Sequence, residues 1–283
     1  MTKTTTVDCY NCHSGETEPF LRENGFWLVR CKGCGLLYIR ERPDEETIEI
    51  ATAIGQHHGE QDLDANVHYN PGVKAEYRRF LPEIFPDGFA GIGSWLDIGC
   101  GYGEFIETLT ERSHGSIDVV GSEPNVTKQA SAKKRNLNVD YFDLATHPRQ
   151  YDVVSLLNVY SHLPNPYEFI SGLKRVIKPG GEFLIQTGNA ADFSAEDILK
   201  PLGLPDHLSF TSESILTDML ERIGFKVVSV HKFPDLPIEP KKIAKEIAKF
   251  ILPKYNSYLK YYVNYRKYSE SKMFIRARLP AES

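Results

Sequence analysis

Predominantly apolar runs alternate with amphipathic stretches from about residue 73 onward, and this alternation predicts strands and helices in turn. The runs lie within residues 95–98, 117–120, 139–144, 151–157 and 183–185. A short run without polar alternation is typical of a strand in a parallel sheet that helices cover on both faces. The pattern therefore predicts an α/β fold for most of the chain.

One stretch, Trp95–Phe105, joins an apolar strand to a glycine-rich turn and then to a helical pattern. Gly99, Gly101 and Gly103 stand at alternate positions, and Asp97 precedes them by two residues. Glycine tolerates positive φ and lets backbone amides approach a ligand closely. A strand, a glycine turn and a helix N-terminus together predict a nucleotide-type site at the carboxyl edge of a parallel sheet. The spacing differs from the Gly-x-Gly-x-x-Gly dinucleotide fingerprint.

This glycine turn resembles motif I of class I S-adenosylmethionine-dependent methyltransferases. The Lys178–Gly181 turn before a strand and the His162–Pro166 segment after the fourth strand are also similar to segments of that superfamily. The resemblance covers roughly residues 73–230. It implies S-adenosylmethionine as the cofactor and a Rossmann-like seven-stranded mixed sheet. The last strand, within residues 272–279, is then antiparallel and lies between the fifth and sixth strands.

The resemblance also implies cofactor-binding roles beyond Asp97 and the three glycines. Glu123, about 20 residues after the turn, would accept hydrogen bonds from the ribose hydroxyls. Asp143 would accept from the adenine amino group while Phe142 or Leu144 packs on the ring. Asn158 would line the methionyl pocket, and Tyr69 would cover the methionine end. Two alternatives stay open: Glu123 is a solvated carboxylate, or Asp143 caps the next turn.

Three polar residues are candidates for catalysis. His207, in a segment similar to one in small-molecule and sugar methyltransferases, is the first choice for a general base. An unperturbed imidazole titrates near pH ~6.5, so it accepts a hydroxyl proton at neutral pH. His162 and Asn189 follow predicted strands and would orient the substrate. The alternative is that His207 bonds to backbone groups and His162 caps a helix.

Two Cys-x-x-Cys pairs precede the α/β pattern. Cys9 and Cys12 form the first pair, and Cys31 and Cys34 form the second, about 18 residues later. This spacing predicts a structural zinc site of the zinc-ribbon type, with four thiolates. The alternative is a pair of disulfides or free core thiols. Cys100, in the glycine turn, is interpreted as a small packing residue.

These patterns divide the chain into five segments. They are a zinc-ribbon module (1–42), a linker with a leading helix (43–90), the cofactor-binding core (91–235), a basic helical insertion (236–270) and a final core strand with a tail (271–283). The polar part of the linker is either a mobile loop or a lid over the cofactor. The basic insertion is either a solvated helix pair, a pocket wall for an anionic substrate, a peripheral membrane contact or an RNA contact.

Composition and charge narrow the range of possible functions. The chain has 283 residues, a formal net charge of −5, 41% hydrophobic residues and no apolar run long enough to span a membrane. No apolar signal region is visible near the N-terminus, so a cytoplasmic protein is expected. The acidic balance disfavours nucleic acid as a partner. Composition and patterning do not determine the oligomeric state.

The resemblance therefore implies an enzyme that transfers the methyl group of S-adenosylmethionine to a small-molecule acceptor. The expected acceptor is a hydroxyl of a sugar, a nucleotide-linked sugar or a related metabolite in carbohydrate biosynthesis. Two alternatives are a zinc-ribbon RNA methyltransferase and a non-catalytic cofactor-binding partner of another enzyme. The patterns do not decide between oxygen, nitrogen and carbon as the methylated atom.

Overall fold

The computed structural model describes residues 3–54, 68–198, 201–234 and 268–281. Its N-terminal part contains β1 (Thr4–Thr6), β2 (Thr17–Glu23), β3 (Phe26–Cys31), β4 (Leu37–Ile39), β5 (Glu41–Pro43) and helix α1 (Glu45–Ile54). Pro43 ends β5 and pairs with Thr4, and Asp44 caps α1 by accepting from the Thr47 amide at 3.0 Å.

Strands and helices alternate through the rest of the described chain. In order they are α2 (Pro71–Ile84), β6 (Ser94–Ile98), α3 (Glu104–Arg112), β7 (Asp118–Ser122), α4 (Val126–Lys134), β8 (Val139–Asp140), β9 (Tyr151–Leu157), α5 (Pro166–Leu173), β10 (Ile177–Gly188), β11 (Ser209–Phe210), α6 (Glu213–Ile223), β12 (Lys226–Phe233) and β13 (Lys272–Arg278). The side chains of Asn70, Asn125, Asn165 and Ser212 cap α2, α4, α5 and α6. These caps explain why each helix begins where it does.

Seven strands form one mixed sheet in the order β12-β13-β10-β9-β6-β7-β8. The five strands from β10 to β8 run parallel to their neighbours. Strand β13 is antiparallel to both β10 and β12, between which it lies. The predicted seven-stranded α/β sheet with an inserted antiparallel last strand is therefore confirmed.

Alternate residues of the central strands enter two separate apolar clusters. Trp95 and Val153 belong to one cluster with α2 and α3, whereas Leu96 and Val154 belong to the other with α5 and α6. Since neighbouring side chains of a strand point to opposite faces, the sheet is covered on both sides. The second cluster continues into the N-terminal part, where it includes Tyr38 and neighbouring residues. The N-terminal module thus shares its core with the large sheet.

The N-terminal module and the large α/β part are also joined by a strand. The four-stranded sheet of the module has the order β11-β4-β3-β2, and β11 follows Leu208 in the large part. Ser209 pairs with Tyr38, Phe210 pairs with Leu37, and the Ile39 amide donates to the Leu208 carbonyl at 2.9 Å. This sheet therefore runs across the predicted boundary between the module and the core.

Parts of two predicted segments lie outside the described residues. They are residues 55–67 of the predicted lid and residues 236–267 of the predicted basic insertion. Among the helices that the structure describes, none combines the length and the apolarity needed to cross a membrane.

The two tryptophans of the chain test how far the core depends on Trp95. Trp95 is fully buried and its Nε1 donates to the Ser155 hydroxyl at 2.8 Å, whereas Trp27 is 50% exposed. Trp95→Phe removes volume and a buried donor, so we expect a loss of about 2–3 kcal/mol in the free energy of unfolding. Trp27→Phe is the control and should change it by less than about 0.5 kcal/mol. Urea denaturation followed by circular dichroism measures both, and equal losses would contradict the prediction.

Candidate functional site

The glycine turn follows β6 at the carboxyl edge of the parallel strands. Gly99, Gly101 and Gly103 all have positive φ, at 66°, 56° and 87°. A Cβ at Gly99 would overlap Val159, whereas a Cβ at Gly101 would meet no atom of the described chain within 4 Å. The middle glycine therefore faces open space beside the strand ends. Such a cradle fits a ligand that approaches the backbone closely.

Two buried carboxylates lie beneath this turn. Glu123, which follows β7, accepts from the Gly101 amide at 2.8 Å and from the Asn125 amide at 2.9 Å. Asp97, at the end of β6, accepts from the Ser155 hydroxyl at 2.5 Å. Burial raises the pKa of Asp97 to about 7, and the charge of Glu123 adds to this, although the bond from Ser155 opposes it. The fold thus brings Asp97, Gly101 and Glu123 together, and a bound cation would favour the ionised form of Asp97.

The residues predicted to hold the adenine and methionine groups have other partners in the structure. The Asp143 carboxylate is exposed and accepts from the Ala145 amide at 2.8 Å, which is the turn-capping interaction. Phe142 stacks on His147 with the ring centroids 4.2 Å apart. Asn158 follows β9 and has a φ of 60°. Its backbone amide donates to the backbone carbonyl of Gln186. Their roles with the cofactor remain predictions.

Tyr69 lies against helix α3, which begins at the glycine turn. Its hydroxyl donates to Glu107 at 2.7 Å, and the Arg135 guanidinium lies 4.3 Å from its ring centroid. The next amide, that of Asn70, donates to Glu104 in the first turn of α3 at 2.9 Å. The segment that enters α2 is therefore held across the start of α3. Whether Tyr69 covers the methionine end is a prediction that these contacts neither exclude nor test.

Two predicted histidines meet an aspartate that sequence analysis missed. The His162 Nδ1 atom lies 3.0 Å from Asp206 Oδ1 and 3.1 Å from the Asp206 carbonyl. The His207 ring packs edge-on against the His162 ring, with the centroids 4.6 Å apart. Asp206 directly precedes His207 in the sequence, and this position was the signal that could have found it. The three residues form what we call the His–Asp–His cluster.

His162 and Asp206 of this cluster line a small, open pocket with a cavity volume of about 20 Å³. Residues of β5 and α1, from Pro43 to Thr52, form one wall, and His162, Pro205 and Asp206 form the other. Sequence analysis treated α1 only as part of a linker. Asn189, which follows β10, is also buried near the strand ends, and its Oδ1 atom has no hydrogen-bond partner in the part of the chain described. A ligand could supply that partner.

The four N-terminal cysteines form one cluster of free thiols. Cys9 and Cys34 sulfurs are 3.6 Å apart, Cys12 and Cys31 sulfurs are 3.4 Å apart, and all four lie within 4.8 Å of one another. Zinc–sulfur bonds of about 2.3 Å in a tetrahedron give sulfur separations of about 3.8 Å, so the cluster fits a zinc ion. The disulfide alternative is wrong, because the cysteines are unpaired. The hydrogen bond between Cys9 and Cys34 lowers the pKa of Cys34 and raises that of Cys9, so Cys34 is the more readily ionised thiol of this pair.

The N-terminal module holds the loop that carries Asp206 and His207. The Glu23 carboxylate accepts from three consecutive amides, those of Leu202, Gly203 and Leu204, at 2.6–3.0 Å. Asn24 donates to the Leu204 carbonyl at 2.8 Å. On the other side of the loop, the Tyr10 hydroxyl contacts Ser209 and Tyr160 at 3.0 and 2.8 Å. The module thus fixes both ends of the segment from 202 to 210.

Comparison with known sequences assigns the family. The family described as "Methyltransferase domain" matches residues 67–230, which is more than half of the chain. The chain belongs to this methyltransferase family. Among curated relatives, the methyltransferase is similar to a ubiquinone biosynthesis O-methyltransferase of Saccharophagus degradans, with 31% identity over 47% of this chain and 63% of the relative. A protein of the same name from Dinoroseobacter shibae is 31% identical over 55% of this chain and 68% of the relative.

The methyltransferase spans less than two thirds of the length of the first of these relatives. Solved structures show the same fold. A SAM-dependent methyltransferase from Archaeoglobus fulgidus matches 74% of this chain and 94% of its own, with a TM-score of 0.53 and 24% identity. A structure described as a putative methyltransferase from Bacillus halodurans matches 73% and 100%, with a TM-score of 0.52 and 19% identity. The fold is that of class I S-adenosylmethionine-dependent methyltransferases.

The hold of the module on the loop can be tested through Glu23. Glu23→Gln weakens the acceptor for three backbone amides, so we expect hydrogen exchange at Leu202, Gly203 and Leu204 to become at least about tenfold faster. Glu18→Gln, an exposed change on the same strand, is the control and should leave these amides unchanged. NMR or mass spectrometry measures hydrogen exchange at these amides in both variants. Unchanged exchange in Glu23→Gln would show that the loop is held without this carboxylate.

Asp97 predicts a pH dependence of stability. Because burial raises its pKa from 3.8 to about 7, the folded protein holds the proton more tightly than the unfolded chain. The resulting stabilisation is fully present below about pH 4 and is lost as the pH rises to 7. Relative to Asp97→Asn, which cannot ionise, the wild type should therefore lose up to about 1.4 kcal/mol per pH unit over that range.

Urea unfolding at several pH values between 5 and 8 measures this difference. Asp87→Asn, an exposed substitution, is the control and should run parallel to the wild type. A constant difference between wild type and Asp97→Asn across the range would mean that Asp97 is ionised throughout.

Proposed function

We propose that this methyltransferase transfers the methyl group of S-adenosylmethionine to a hydroxyl of a small-molecule acceptor bound in the pocket beside His162. The observation that carries the proposal is the His–Asp–His cluster, of which His162 and Asp206 line that pocket and His207 packs against His162. The names of the curated relatives, which are O-methyltransferases, support oxygen as the methylated atom. A sugar or nucleotide-linked sugar as the acceptor remains a prediction from the sequence.

The cofactor half of the site would be formed by the glycine turn and the carboxylates beneath it. When bound, S-adenosylmethionine supplies an electrophilic methyl group on a positively charged sulfur. Gly101 leaves room for the approach of a ligand, and Glu123 already lies at its amide, where ribose hydroxyls would find an acceptor. The buried Asp97 carboxylate adds negative potential, which favours a cationic ligand. Asn158, Phe142, Asp143 and Tyr69 would complete the site.

The catalytic half would be the His–Asp–His cluster. With Asp206 accepting the Nδ1 proton of His162, the Nε2 atom of the same ring is the basic nitrogen and can take the proton of an acceptor hydroxyl. The deprotonated oxygen would then be able to accept the methyl group from the cofactor, whose sulfur would keep the electrons of the broken carbon–sulfur bond. The histidine returns the proton to water after product release.

This assignment changes the order of the two histidines. Sequence analysis favoured His207 as the base and gave His162 an orienting role. We now place His162 first, because its Nδ1 atom has a carboxylate partner that fixes the tautomer, as in catalytic dyads of other enzymes. His207 packs edge-on against that ring and would position it and the acceptor. Asn189 would orient the acceptor through its unpartnered amide oxygen.

Zinc would have a structural role in this enzyme. The four-cysteine cluster offers four ligands and therefore a closed tetrahedral site. Through β4 and Glu23, the module that zinc would stabilise contacts the loop bearing Asp206 and His207. We infer that loss of the metal would disturb the acceptor pocket more than the glycine turn.

Substitution of the cluster tests the proposal. The measurement is formation of S-adenosylhomocysteine with a panel of phenols, sugars and nucleotide-linked sugars, alongside calorimetric binding of S-adenosylhomocysteine. For the acceptor that turns over, His162→Ala and Asp206→Asn should lower kcat about 10²–10³-fold, because general-base catalysis contributes that much. The affinity for S-adenosylhomocysteine should stay within about twofold, because these residues do not line the glycine turn.

His114→Ala, an exposed change in the turn after α3, is the matched control and should keep full activity. If His162→Ala keeps full activity and His207→Ala loses most of it, His207 is the general base. Binding without turnover on every acceptor would favour the non-catalytic alternative. Turnover only with RNA, with a steep dependence on salt, would favour the RNA alternative.

A further inference from the structure

The His–Asp–His cluster brings together three side chains that can ligate a metal ion. In the part of the chain that the structure describes, three or more such side chains come together in two places, the four-cysteine cluster and this one. The ligand atoms of His162, Asp206 and His207 all lie within 4.8 Å of one another. Each of the three residues is partly exposed, so an ion can reach the cluster from solvent.

The distance between His162 and Asp206 matches the separation of two ligands on one ion. The Nδ1 atom of His162 lies 3.0 Å from Oδ1 of Asp206. Zinc, for example, binds imidazole nitrogen and carboxylate oxygen at about 2.0–2.2 Å, so neighbouring ligands on such an ion are about 3.0–3.4 Å apart. An ion between these two atoms therefore requires little movement of either side chain. The His207 ring, which packs against the His162 ring, would reach the same ion by rotation of its side chain.

Backbone hydrogen bonds hold the two segments that carry these ligands against each other. The Leu208 amide donates to the Ser161 carbonyl at 2.6 Å, which joins the residue after His207 to the residue before His162. The His207 amide donates to the Gly203 carbonyl at 3.1 Å. Because the backbone fixes both segments, the ligands are preorganised, and this reduces the loss of conformational entropy when an ion binds.

The pocket at the cluster favours a small cation. Asp206 is the only charged side chain among the described residues that line it, so the lining has a negative charge. Thr47 and Thr52 of α1 add hydroxyl oxygens on the opposite wall. The cavity volume of about 20 Å³ is enough for an ion or a water molecule.

We propose that His162, Asp206 and His207 bind a divalent transition-metal ion, such as Mn²⁺, Fe²⁺, Co²⁺ or Zn²⁺. Two imidazole nitrogens and one carboxylate oxygen suit these ions better than Mg²⁺ or Ca²⁺, which prefer oxygen ligands alone. Three protein ligands leave coordination positions for water or another molecule. The four-cysteine cluster differs in this respect, because four thiolates form a closed site.

The ion and the proton that His162 shares with Asp206 compete for the same nitrogen. A neutral imidazole carries one proton, and its other nitrogen has the available lone pair. When Nδ1 binds the ion, the proton of the ring lies on Nε2, which then cannot take a proton from an acceptor hydroxyl. The ion would therefore inhibit methyl transfer. Only this consequence rests on the proposed function, whereas the metal site itself does not.

Cobalt titration of the full chain tests the site without methyl transfer. The protein is first loaded with zinc to fill the four-cysteine cluster, and Co²⁺ is then added. A further Co²⁺ should bind to each chain and show visible absorption bands without the intense near-ultraviolet band of a cobalt–thiolate bond. His162→Ala, Asp206→Asn and His207→Ala should each weaken this binding at least about tenfold, because loss of a ligand weakens binding at least as much as loss of its outer-shell partner.

His114→Ala and Asp87→Asn, two exposed substitutions elsewhere in the chain, are the matched controls and should bind Co²⁺ as the wild type does. Circular dichroism shows which cluster variants fold, and Asp206→Asn, which keeps the shape of the side chain, is the mildest of the three. No further Co²⁺ in the wild type, absorption of the thiolate type alone, or unchanged binding in any folded cluster variant would overturn the inference.

Inhibition tests the consequence for the proposed base. With an acceptor that turns over, Co²⁺ should lower the kcat of the wild type in proportion to occupancy of the site, and removal of Co²⁺ by dialysis should restore it. Bound Co²⁺ without inhibition would support the metal site and remove His162 from the role of general base. Failure of the site and failure of the proposed function therefore give different results.

Discussion

The position of the His–Asp–His cluster depends on the pairing of β11 with β4. These two short strands belong to different parts of the chain, and Ser209 and Phe210 reach their partners across about 170 residues. The three backbone amides that donate to Glu23 reinforce the pairing at the other end of the loop. Because Asp206 and His207 lie between these two attachments, the cysteine module determines where they meet His162. The module therefore supports the pocket that His162 and Asp206 line.

The site combines this external support with a buried charge that weakens the fold. Asp97 is buried beneath the glycine turn, and burial raises its pKa to about 7. Its ionised form is therefore disfavoured in the ligand-free protein, and a cationic ligand beside the turn would favour it. This opposition is what we expect of a residue that function selects against the preference of the fold.

Sequence patterns located the glycine turn and the two carboxylates beneath it because these parts are local. Strand β6, the glycines and α3 follow one another directly, and the positive φ values appear where glycines occur. Asp97 and Glu123 lie at the ends of the two parallel strands of one βαβ unit. Because the strands of such a right-handed unit run parallel, both residues lie at the same edge of the sheet. Asp143 was harder, since the same carboxylate can cap a turn, as it does here, or face a ligand. Asp206 was missed because its partner, His162, is 44 residues away.

The sequence by itself determined the α/β class, the cysteine set and the glycine turn with its two carboxylates. These features depend on short spacings and on strand periodicity, both of which are visible in one dimension. Only the tertiary structure decided that α1 is a pocket wall, that β11 joins the cysteine module and that Asp206 meets His162. These features arise from contacts between distant segments, and their energies depend on burial, which no local pattern records.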